Sequence, residues 1–269
     1  MNPHQSAGSD CVVVERADRV GYLTINRPPL NILSIEVFDR LAAGLDELTR
    51  GGGVDILVVR AAGERAFSAG AEVADHVPDR APAMLAAFHR VARALMSMDV
   101  VSIAAVKGLT LGGGMELALC CDIVVASEDA QLGQPEILLG SFPPIAAALL
   151  PGRVGRHHAF DIVLTGRRLS AFESLALGLV SRVAAPAELD GEVDQVIRSL
   201  RAASGPVLRL AVRALRGARP AEFSERLAAN ERIYVDELLR LDDAREGVEA
   251  FLQKRQPRWK GDHKETPER

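Results

Sequence analysis

The sequence contains little cysteine, and this limits how the fold can be cross-linked. Only three cysteines occur among the 269 residues. Cys11 is isolated, whereas Cys120 and Cys121 are adjacent. This spacing suits neither a disulfide framework nor a cysteine metal site. Because low cysteine usage is typical of proteins in a reducing compartment, we expect a cytoplasmic location.

Long apolar runs are also missing. Residues 1–10 contain no apolar stretch. No later segment approaches the ~18 consecutive apolar residues of a membrane-spanning helix. We therefore expect a protein that is neither exported nor inserted into a membrane.

Charge of one sign is not in large excess. The formal net charge is −4, and 25% of the residues are charged. A nucleic-acid-binding surface would need clustered basic residues, so we expect no nucleic acid partner. The net charge is compatible with small acidic or neutral ligands.

Several well-known catalytic motifs are absent. The chain has no G-x-S-x-G elbow, no G-x-x-x-x-G-K-[ST] loop and no H-E-x-x-H helix. The glycines 112–114 do not match the dinucleotide fingerprint, because Leu117 stands where its last glycine should be. Adjacent His157 and His158 point to different faces of a helix, so we expect no metal site there. These absences argue against serine hydrolases, nucleotidases, zinc proteases and nicotinamide enzymes.

Strand and helix patterns alternate along the first part of the chain. Short β-branched runs at 11–15 and 20–25 predict a hairpin or two adjacent strands. The apolar runs at 55–59 and 100–106 predict buried parallel strands. Helical spacing predicts a helix capped by Ser34 and a crossover helix, with apolar positions Val37, Leu41, Leu45 and Leu48 in the first and Met84, Leu85, Phe88, Val91, Leu95 and Met98 in the second. This alternation predicts an α/β fold class.

From about Glu188 onward the pattern becomes almost wholly helical. We therefore divide the chain into a catalytic core at 1–187 and a helical C-terminal region at 188–269.

A turn of three glycines, 112–114, separates a buried apolar run from the helical run Met115–Cys121. Glycines at a helix start expose backbone N–H groups, and the helix dipole adds positive potential there. A developing oxyanion would fit such a turn, although close packing of a strand against a helix explains the glycines equally well. Glu116 is either an ordinary first-turn acid or a group that faces a ligand.

Two further segments have the composition of functional loops. The stretch 66–73 is a second turn of small residues after a buried strand, and 134–137 supplies a second carboxylate, Glu136. Two acids beside apolar surface suggest acid/base chemistry, although Glu136 taken alone is equally compatible with an exposed position. His76 either lines the same cavity as the first turn or lies exposed in a loop.

Together these segments resemble the crotonase superfamily of enoyl-CoA hydratases and isomerases. The stretch 66–73 is similar to the first oxyanion-hole motif of that family, and 109–122 to the second. Further matching segments follow in the family's order: Asn26-Arg27-Pro28 with Asn31, then 133–137, Leu164-Thr165-Gly166, 176–180 and 251–254. The resemblance implies a crotonase-like spiral of strand-strand-helix units with a C-terminal helical oligomerisation subdomain. It also implies a homotrimer or a dimer of trimers.

The resemblance also implies roles for individual residues. The backbone N–H groups of Ala71 and Gly113 would hold the thioester oxygen of an acyl-CoA substrate. Glu116 and Glu136 match the two glutamates of hydratases, in which Glu116 would orient and activate a water and Glu136 would exchange the proton at the α-carbon. No metal or redox cofactor is implied, since coenzyme A is part of the substrate. The implied coenzyme A contacts, of which the last two can come from a neighbouring subunit, are Ala69, Ala71, Glu72, Val73, Gly113, Phe251 and Lys254.

One stretch departs from ordinary hydratases. After Leu139-Gly140 they continue with a proline and glycines, whereas this chain has Ser141, Phe142, Pro143 and Pro144. With 67–76, this stretch resembles the cyclohexa-1,5-diene-1-carbonyl-CoA hydratases. We expect the phenylalanine and the prolines to build a rigid apolar wall suited to a flat ring.

Our leading hypothesis is therefore a hydratase of unsaturated acyl-CoA thioesters, linear or cyclic. One alternative is an enoyl-CoA double-bond isomerase. Another is a noncatalytic scaffold or RNA-binding homologue, against which both glutamates and the acidic net charge argue.

Overall fold

The computed structural model describes residues 10–50 and 52–260. Most of the amino-terminal segment in which we expect no export signal, residues 1–9, lies outside these described residues.

Two β-sheets form the framework of the described chain. One has the strand order β1-β2-β3-β5-β7-β10 and the other β4-β6-β8-β9. The strands are β1 (Val12–Ala17), β2 (Val20–Ile25), β3 (Ile56–Ala61), β4 (Ala66–Ser68), β5 (Val101–Val106), β6 (Leu109–Leu111), β7 (Ile123–Ser127), β8 (Gln131–Gly133), β9 (Arg168–Ser170) and β10 (Arg182–Ala184).

Helices connect and cover these sheets. The α-helices are α1 (Ile35–Thr49), α2 (Ala81–Ser97), α3 (Gly113–Leu119), α4 (Pro144–Arg153), α5 (Gly155–Thr165), α6 (Ala171–Ala176), α7 (Leu189–Arg201), α8 (Gly205–Arg216), α9 (Arg219–Arg232) and α10 (Asp242–Leu252). Short 3-10 helices span Val73–His76, Pro135–Leu139, Pro186–Glu188 and Leu238–Arg240, and a π-helical turn spans Ile233–Glu237.

Three successive units each consist of two strands and a helix. Strands β3 and β4 precede α2, β5 and β6 precede α3, and β7 and β8 precede α4. Each unit gives its first strand to the larger sheet and its second to the smaller sheet. The α/β class and the spiral of strand-strand-helix units are therefore confirmed.

The local predictions also hold. Strands β1 and β2 pair antiparallel as a hairpin. The Ser34 hydroxyl accepts a hydrogen bond from the backbone N–H of Val37 and so caps α1. Both predicted buried strands, β3 and β5, pair parallel with each other.

The larger sheet is buried on both faces, which explains the continuous apolar runs of its central strands. Ile56 and Val58 point to one face and pack in a cluster with Leu189 and Val193 of α7. Leu57 and its neighbours on the other face belong to the main core with α1 and α2.

The smaller sheet positions the candidate site. Strands β4, β6 and β8 are parallel neighbours, with Ser68 paired to Thr110 and Leu111 paired to Gly133. Since the carboxyl ends of parallel strands meet at one edge of a sheet, the segments that follow them converge. These segments are the three candidate loops, at 69–73, 112–116 and 134–136.

The region after 188 is helical, as predicted, and packs closely on the rest of the chain. Phe223, Leu227 and Tyr234 belong to the main hydrophobic core. Helix α10 contacts the 3-10 helices Val73–His76 and Pro135–Leu139. The division at 187 and 188 stays a prediction.

In the described part of the chain, no helix has the length and apolar character needed to cross a membrane.

A buried carboxylate ties α8 to the larger sheet. Asp55 is 5% exposed and accepts hydrogen bonds from the guanidinium groups of Arg19 and Arg209. We expect Asp55→Ala to lower the free energy of unfolding by about 2 kcal/mol, because both arginines lose the carboxylate that they share, while each is partly exposed to water. Urea denaturation measures this change.

The control is Glu15→Ala, which removes an exposed ion pair with Arg60. It should cost less than about 1 kcal/mol. Equal losses for the two variants would show that Asp55 is not a special anchor.

Candidate active site

A cavity of about 570 Å³ lies where the three strand-end segments converge. Its walls are mostly apolar, and α2 contributes Met84, Leu85 and Phe88. Among the residues that line it, the titratable ones are Glu72, His76, Glu116, Glu136, Arg168 and Tyr234.

Two backbone N–H groups are available at one side of this cavity. Within the described chain, the N–H groups of Ala71 and Gly113 have no hydrogen-bond acceptor. The two backbones approach closely, since a Cβ added to Gly113 would lie 3.3 Å from the Ala71 nitrogen. Gly70 and Gly112, with φ of +116° and +51°, turn the chain just before each donor. This pair can bind an oxyanion.

The loop before the first donor is held by a neighbouring segment. The Ala69 N–H donates to the Leu30 carbonyl at 2.9 Å, and the Leu33 N–H donates to the Gly70 carbonyl at 3.0 Å. Asn31 fixes that segment, because its buried side chain donates to the Ala62 and Ala66 carbonyls at 2.9 and 2.8 Å. Asn31 therefore fixes the segment to which the loop before Ala71 is hydrogen-bonded.

Glu116 points away from the start of its own helix and towards another one. Its side chain is almost fully buried, and one carboxylate oxygen accepts hydrogen bonds from the N–H groups of Ile145 and Ala146 at 2.8 Å each. These donors belong to the first turn of α4, where the helix dipole favours a negative charge. Burial raises the pKa of Glu116 to about 7, against the lowering effect of the two N–H groups.

Glu136 lies in the 3-10 helix after β8 and faces the same cavity, so it is not the exposed glutamate of the alternative interpretation. A Cβ on Gly112 would lie 2.6 Å from a carboxylate oxygen of Glu136, so a side chain at 112 would displace it. With its amide nitrogen turned towards Glu136, buried Gln134 donates to both carboxylate oxygens at 3.1 Å. Burial, and then the charge of Glu116, raises the pKa of Glu136 well above its usual value.

The two carboxyl groups therefore form an acid/base pair. Glu116 is buried and Glu136 is half-buried, and the charge of Glu116 disfavours ionisation of Glu136, so the pair retains a proton near neutral pH. One member can give a proton while the other accepts one. A shared proton beside two free amide donors suits proton transfer next to a developing oxyanion.

His76 also lines the cavity. Its Nδ1 lies 3.0 Å from the Glu72 carbonyl oxygen, so Nδ1 carries the proton and donates. Burial lowers the pKa of His76 and keeps the ring neutral. His157 and His158 are exposed. The described residues contain no group of three or more metal-binding side chains.

The apolar wall expected from the sequence is present in the cavity. Phe142, Pro143 and Pro144 line it, at the start of α4. The ring centroids of Phe142 and Tyr234 are 5.4 Å apart. This wall continues into the first turn of α4, whose N–H groups donate to the Glu116 carboxylate.

The implied coenzyme A contacts are largely brought together. Ala69, Glu72 and Val73 line the cavity with both amide donors. Phe251, expected from a neighbouring subunit, lines the cavity of its own chain and is 51% exposed. Lys254 does not line this cavity.

Four polar residues around the cavity were not identified from the sequence, and one of them is Arg168, which lines it. Gln134 contacts Glu136, Asn230 donates to the Pro144 carbonyl at 2.9 Å, and Tyr234 lines the cavity. Asn230 and Tyr234 lie in a helical stretch where periodicity indicates only packing. The one available signal was that Tyr234 is one of two tyrosines in the chain.

Known proteins are similar to this chain over most of its length. A family model described as enoyl-CoA hydratase/isomerase matches residues 15–262. Cyclohexa-1,5-dienecarbonyl-CoA hydratase of Thauera aromatica is 35% identical over 250 residues, which cover 92% of this chain and 95% of the relative. A probable enoyl-CoA hydratase of Rhizobium meliloti is 36% identical over 258 residues, covering 93% and 98%.

A solved structure has the same architecture. The enoyl-CoA hydratase from Mycobacterium avium subsp. paratuberculosis superposes with a TM-score of 0.83 at 32% identity. The superposition covers 93% of this chain and 98% of that one.

The raised carboxyl pKa values predict how stability depends on pH. Between the ordinary pKa of 4.5 and the folded value of about 7, the folded state keeps a proton on Glu116 that the unfolded state has released. The free energy of unfolding should therefore fall as pH rises from 5 to 7, by up to about 1.4 kcal/mol per pH unit for one proton. Glu116→Gln should flatten this slope, because the amide keeps the acceptor oxygen but does not titrate.

Urea denaturation at several pH values measures the slope. Glu225→Gln is the control, since Glu225 is exposed on α9. Wild-type and Glu116→Gln slopes that coincide would show that Glu116 does not retain a proton in the folded state.

Proposed function

This chain belongs to the enoyl-CoA hydratase/isomerase family and is a hydratase of enoyl-CoA thioesters, and we propose here the residues and the acyl group with which it works. The resemblance seen in the sequence is confirmed by the family match. The observation that carries the residue assignment is that a carboxyl pair that retains one proton and two free backbone N–H groups share one cavity.

The two N–H groups hold the thioester oxygen. When a nucleophile adds to the β-carbon of an enoyl thioester, negative charge develops on this oxygen. Ala71 and Gly113 offer donors that have no other acceptor in the described chain, so they are free to meet that charge. A fixed donor of this kind typically contributes about 2.7 to 4 kcal/mol to the transition state.

The carboxyl pair moves the protons. Glu116, as carboxylate, accepts a proton from the water whose oxygen bonds to the β-carbon. Glu136, as carboxylic acid, gives its proton to the α-carbon as the carbon–carbon double bond is lost. The total number of protons on the pair is unchanged, because one enters as the other leaves. The strongly raised pKa of Glu136 and the two N–H donors on Glu116 favour this division of roles.

This chemistry needs coenzyme A only as part of the substrate. No metal or redox step enters the proposed sequence of bond changes. The pair of acids also favours hydration over double-bond isomerisation, since hydration uses one group for water and one for the α-carbon.

The acyl group that we propose is a cyclic diene. Phe142, Pro143 and Pro144 give the cavity a rigid flat wall, which suits a ring better than a flexible chain. The relative from Thauera aromatica is named for a cyclohexadiene thioester. A role in the degradation of aromatic compounds belongs to this proposal.

The assembly that we propose is a homotrimer or a dimer of trimers. Large apolar side chains are exposed on α5, α6 and α8, where another subunit would cover them: Phe160, Leu164, Phe172, Val207, Leu210 and Leu215. Lys254 would then reach coenzyme A in a neighbouring subunit. A cytoplasmic location and the absence of a nucleic acid partner also stay part of the proposal.

Gly113→Ala tests the oxyanion assignment. The added methyl group would lie 3.3 Å from the Ala71 nitrogen and would crowd that donor. We expect kcat for enoyl-CoA hydration to fall by about 10² to 10³, which corresponds to the loss of one oxyanion donor. Steady-state kinetics that follow the loss of the ultraviolet absorbance of the enoyl thioester measure the effect.

Gly191→Ala is the matched control, because a methyl group on that α7 residue would meet nothing within 4 Å. It should keep wild-type activity. If Gly113→Ala folds and turns over as fast as Gly191→Ala, the oxyanion assignment is wrong.

Substrate preference tests the acyl group. We expect a higher kcat/KM for cyclohexa-1,5-diene-1-carbonyl-CoA than for crotonyl-CoA, because the preformed wall fits the flat ring in the transition state. Both thioesters should be measured on one enzyme preparation. A tenfold preference for crotonyl-CoA would contradict the cyclic substrate and leave the hydratase assignment intact.

Glu136→Gln shows whether any observed activity comes from this site. It should bind the coenzyme A ester nearly as well as wild type while turnover falls by several powers of ten, since only proton transfer is removed. Unchanged turnover in this variant would exclude Glu136 from the mechanism. Double-bond migration without hydration would indicate the isomerase instead.

A further inference from the structure

Two buried hydroxyl groups meet beside the carboxyl pair. The Oη of Tyr234 and the Oγ of Ser141 are 3.0 Å apart, and the two residues are 2% and 6% exposed. Two hydroxyl groups carry two hydrogens, but a single hydrogen bond between them uses only one. One hydroxyl hydrogen of this pair therefore remains for another acceptor.

We assign the remaining hydrogen to Tyr234. A hydroxyl hydrogen rotates, so either group is able to donate; with Ser141 donating to Tyr234, the phenol hydrogen has no acceptor among the described residues. Of the two residues, only Tyr234 lines the cavity. A buried donor without a partner is costly, so its acceptor is expected in the cavity.

Tyr234 is also fixed relative to both carboxyl groups. It lies in the π-helical turn Ile233–Glu237, a kind of distortion that is frequent at functional sites. One turn earlier, the Asn230 side chain donates to the carbonyl of Pro144, the first residue of α4. The N–H groups of this helix donate to Glu116. On the other side, the N–H of Ser141 donates to the Glu136 carbonyl at 3.0 Å.

The phenol stays protonated under working conditions. Burial raises the pKa of Tyr234 to about 12, with smaller contributions from the charges of Glu136 and Glu116. The hydroxyl therefore keeps its hydrogen and can donate it near neutral pH. It is also close enough to both glutamates for their charges to affect its pKa.

The chemistry of the substrate leaves one acceptor for it. A hydrocarbon acyl thioester has a single polar atom near its reacting carbons, the thioester oxygen, and the amide donors bind it. Hydration adds a second oxygen at the β-carbon. This oxygen gives a hydrogen to the carboxyl pair and retains lone pairs that can accept.

We propose that the Tyr234 hydroxyl donates a hydrogen bond to the oxygen that the reaction adds, and so selects the hydroxyacyl thioester and places the attacking water. This inference rests on the proposed hydratase function and assigns to that site a specificity-determining residue. The aromatic ring packs against Phe142, so the hydroxyl is held at the edge of the apolar wall.

The test compares two ligands that differ by this oxygen. Tyr234→Phe keeps the ring and removes only the hydroxyl. Binding of 3-hydroxybutyryl-CoA and of butyryl-CoA is measured by calorimetry in the Glu136→Gln background, where turnover is too slow to convert the ligand. We expect Tyr234→Phe to weaken 3-hydroxybutyryl-CoA about tenfold and butyryl-CoA less than about twofold, because only the first ligand has the acceptor.

Two control variants separate recognition from structure. Tyr22→Phe makes the same change at the only other tyrosine, which lies on β2 outside this cavity, and should alter neither affinity. Ser141→Ala removes the partner of the phenol but leaves its free hydrogen, so most of the preference for 3-hydroxybutyryl-CoA should persist.

The outcomes are distinct. Equal weakening of both ligands by Tyr234→Phe would indicate a structural role and overturn the inference, as would no weakening of either. If wild type hydrates enoyl-CoA and the variant still prefers the hydroxyacyl ligand as strongly, only the role of Tyr234 fails. If wild type hydrates no enoyl-CoA at all, the proposed function fails.

Discussion

Parallel pairing of β4, β6 and β8 determines where each functional group of the cavity starts. The register that sets Leu111 beside Gly133 also sets the glycine turn beside the segment that carries Glu136. The pairing of Ser68 with Thr110 does the same for the loop of Ala71. Backbone hydrogen bonds of the sheet therefore fix the relative positions of both amide donors and one acid. The other side chains of the cavity adjust to that arrangement.

The second constraint comes from the far side of the cavity. N–H groups in the first turn of α4 donate to the Glu116 carboxylate, and the first carbonyl of this helix accepts a hydrogen bond from Asn230. The helical segment that carries Asn230 also carries Tyr234, whose hydroxyl is hydrogen-bonded to that of Ser141. The backbone N–H of Ser141 donates to the Glu136 carbonyl. A continuous set of hydrogen bonds thus connects the C-terminal helices to the backbone supports of both acids. The C-terminal region therefore lines the cavity and supports the backbone around it, as well as packing on the rest of the chain.

Sequence patterns were sufficient for local elements and for residues that follow a strand directly. The strands β3 and β5, the capped helix α1 and the glycine turn were all predictable, because each depends on neighbours along the chain. Both glutamates were noticed in the sequence, but local patterns left them open and the family resemblance supplied their roles. The contacts that complete the cavity are different. Glu116 meets a backbone 29 residues away, and Ser141 meets a tyrosine 93 residues away. Periodicity assigns Tyr234 to a packed helix face but does not show that its hydroxyl reaches a cavity.

The repeated strand-strand-helix unit has a consequence for how new activities arise in this architecture. Every unit ends its second strand at the same edge, and the turn that follows can change without altering any strand pairing. His76, the stretch from Ser141 to Pro144 and Glu136 all lie in or after such turns. Mutation can therefore exchange one reactive group at a time while the scaffold keeps folding. The residues that carry the chemistry are thus largely distinct from those that pair the strands. In a duplicated gene, substitutions in the turns can change the reaction while the strand pairing is kept.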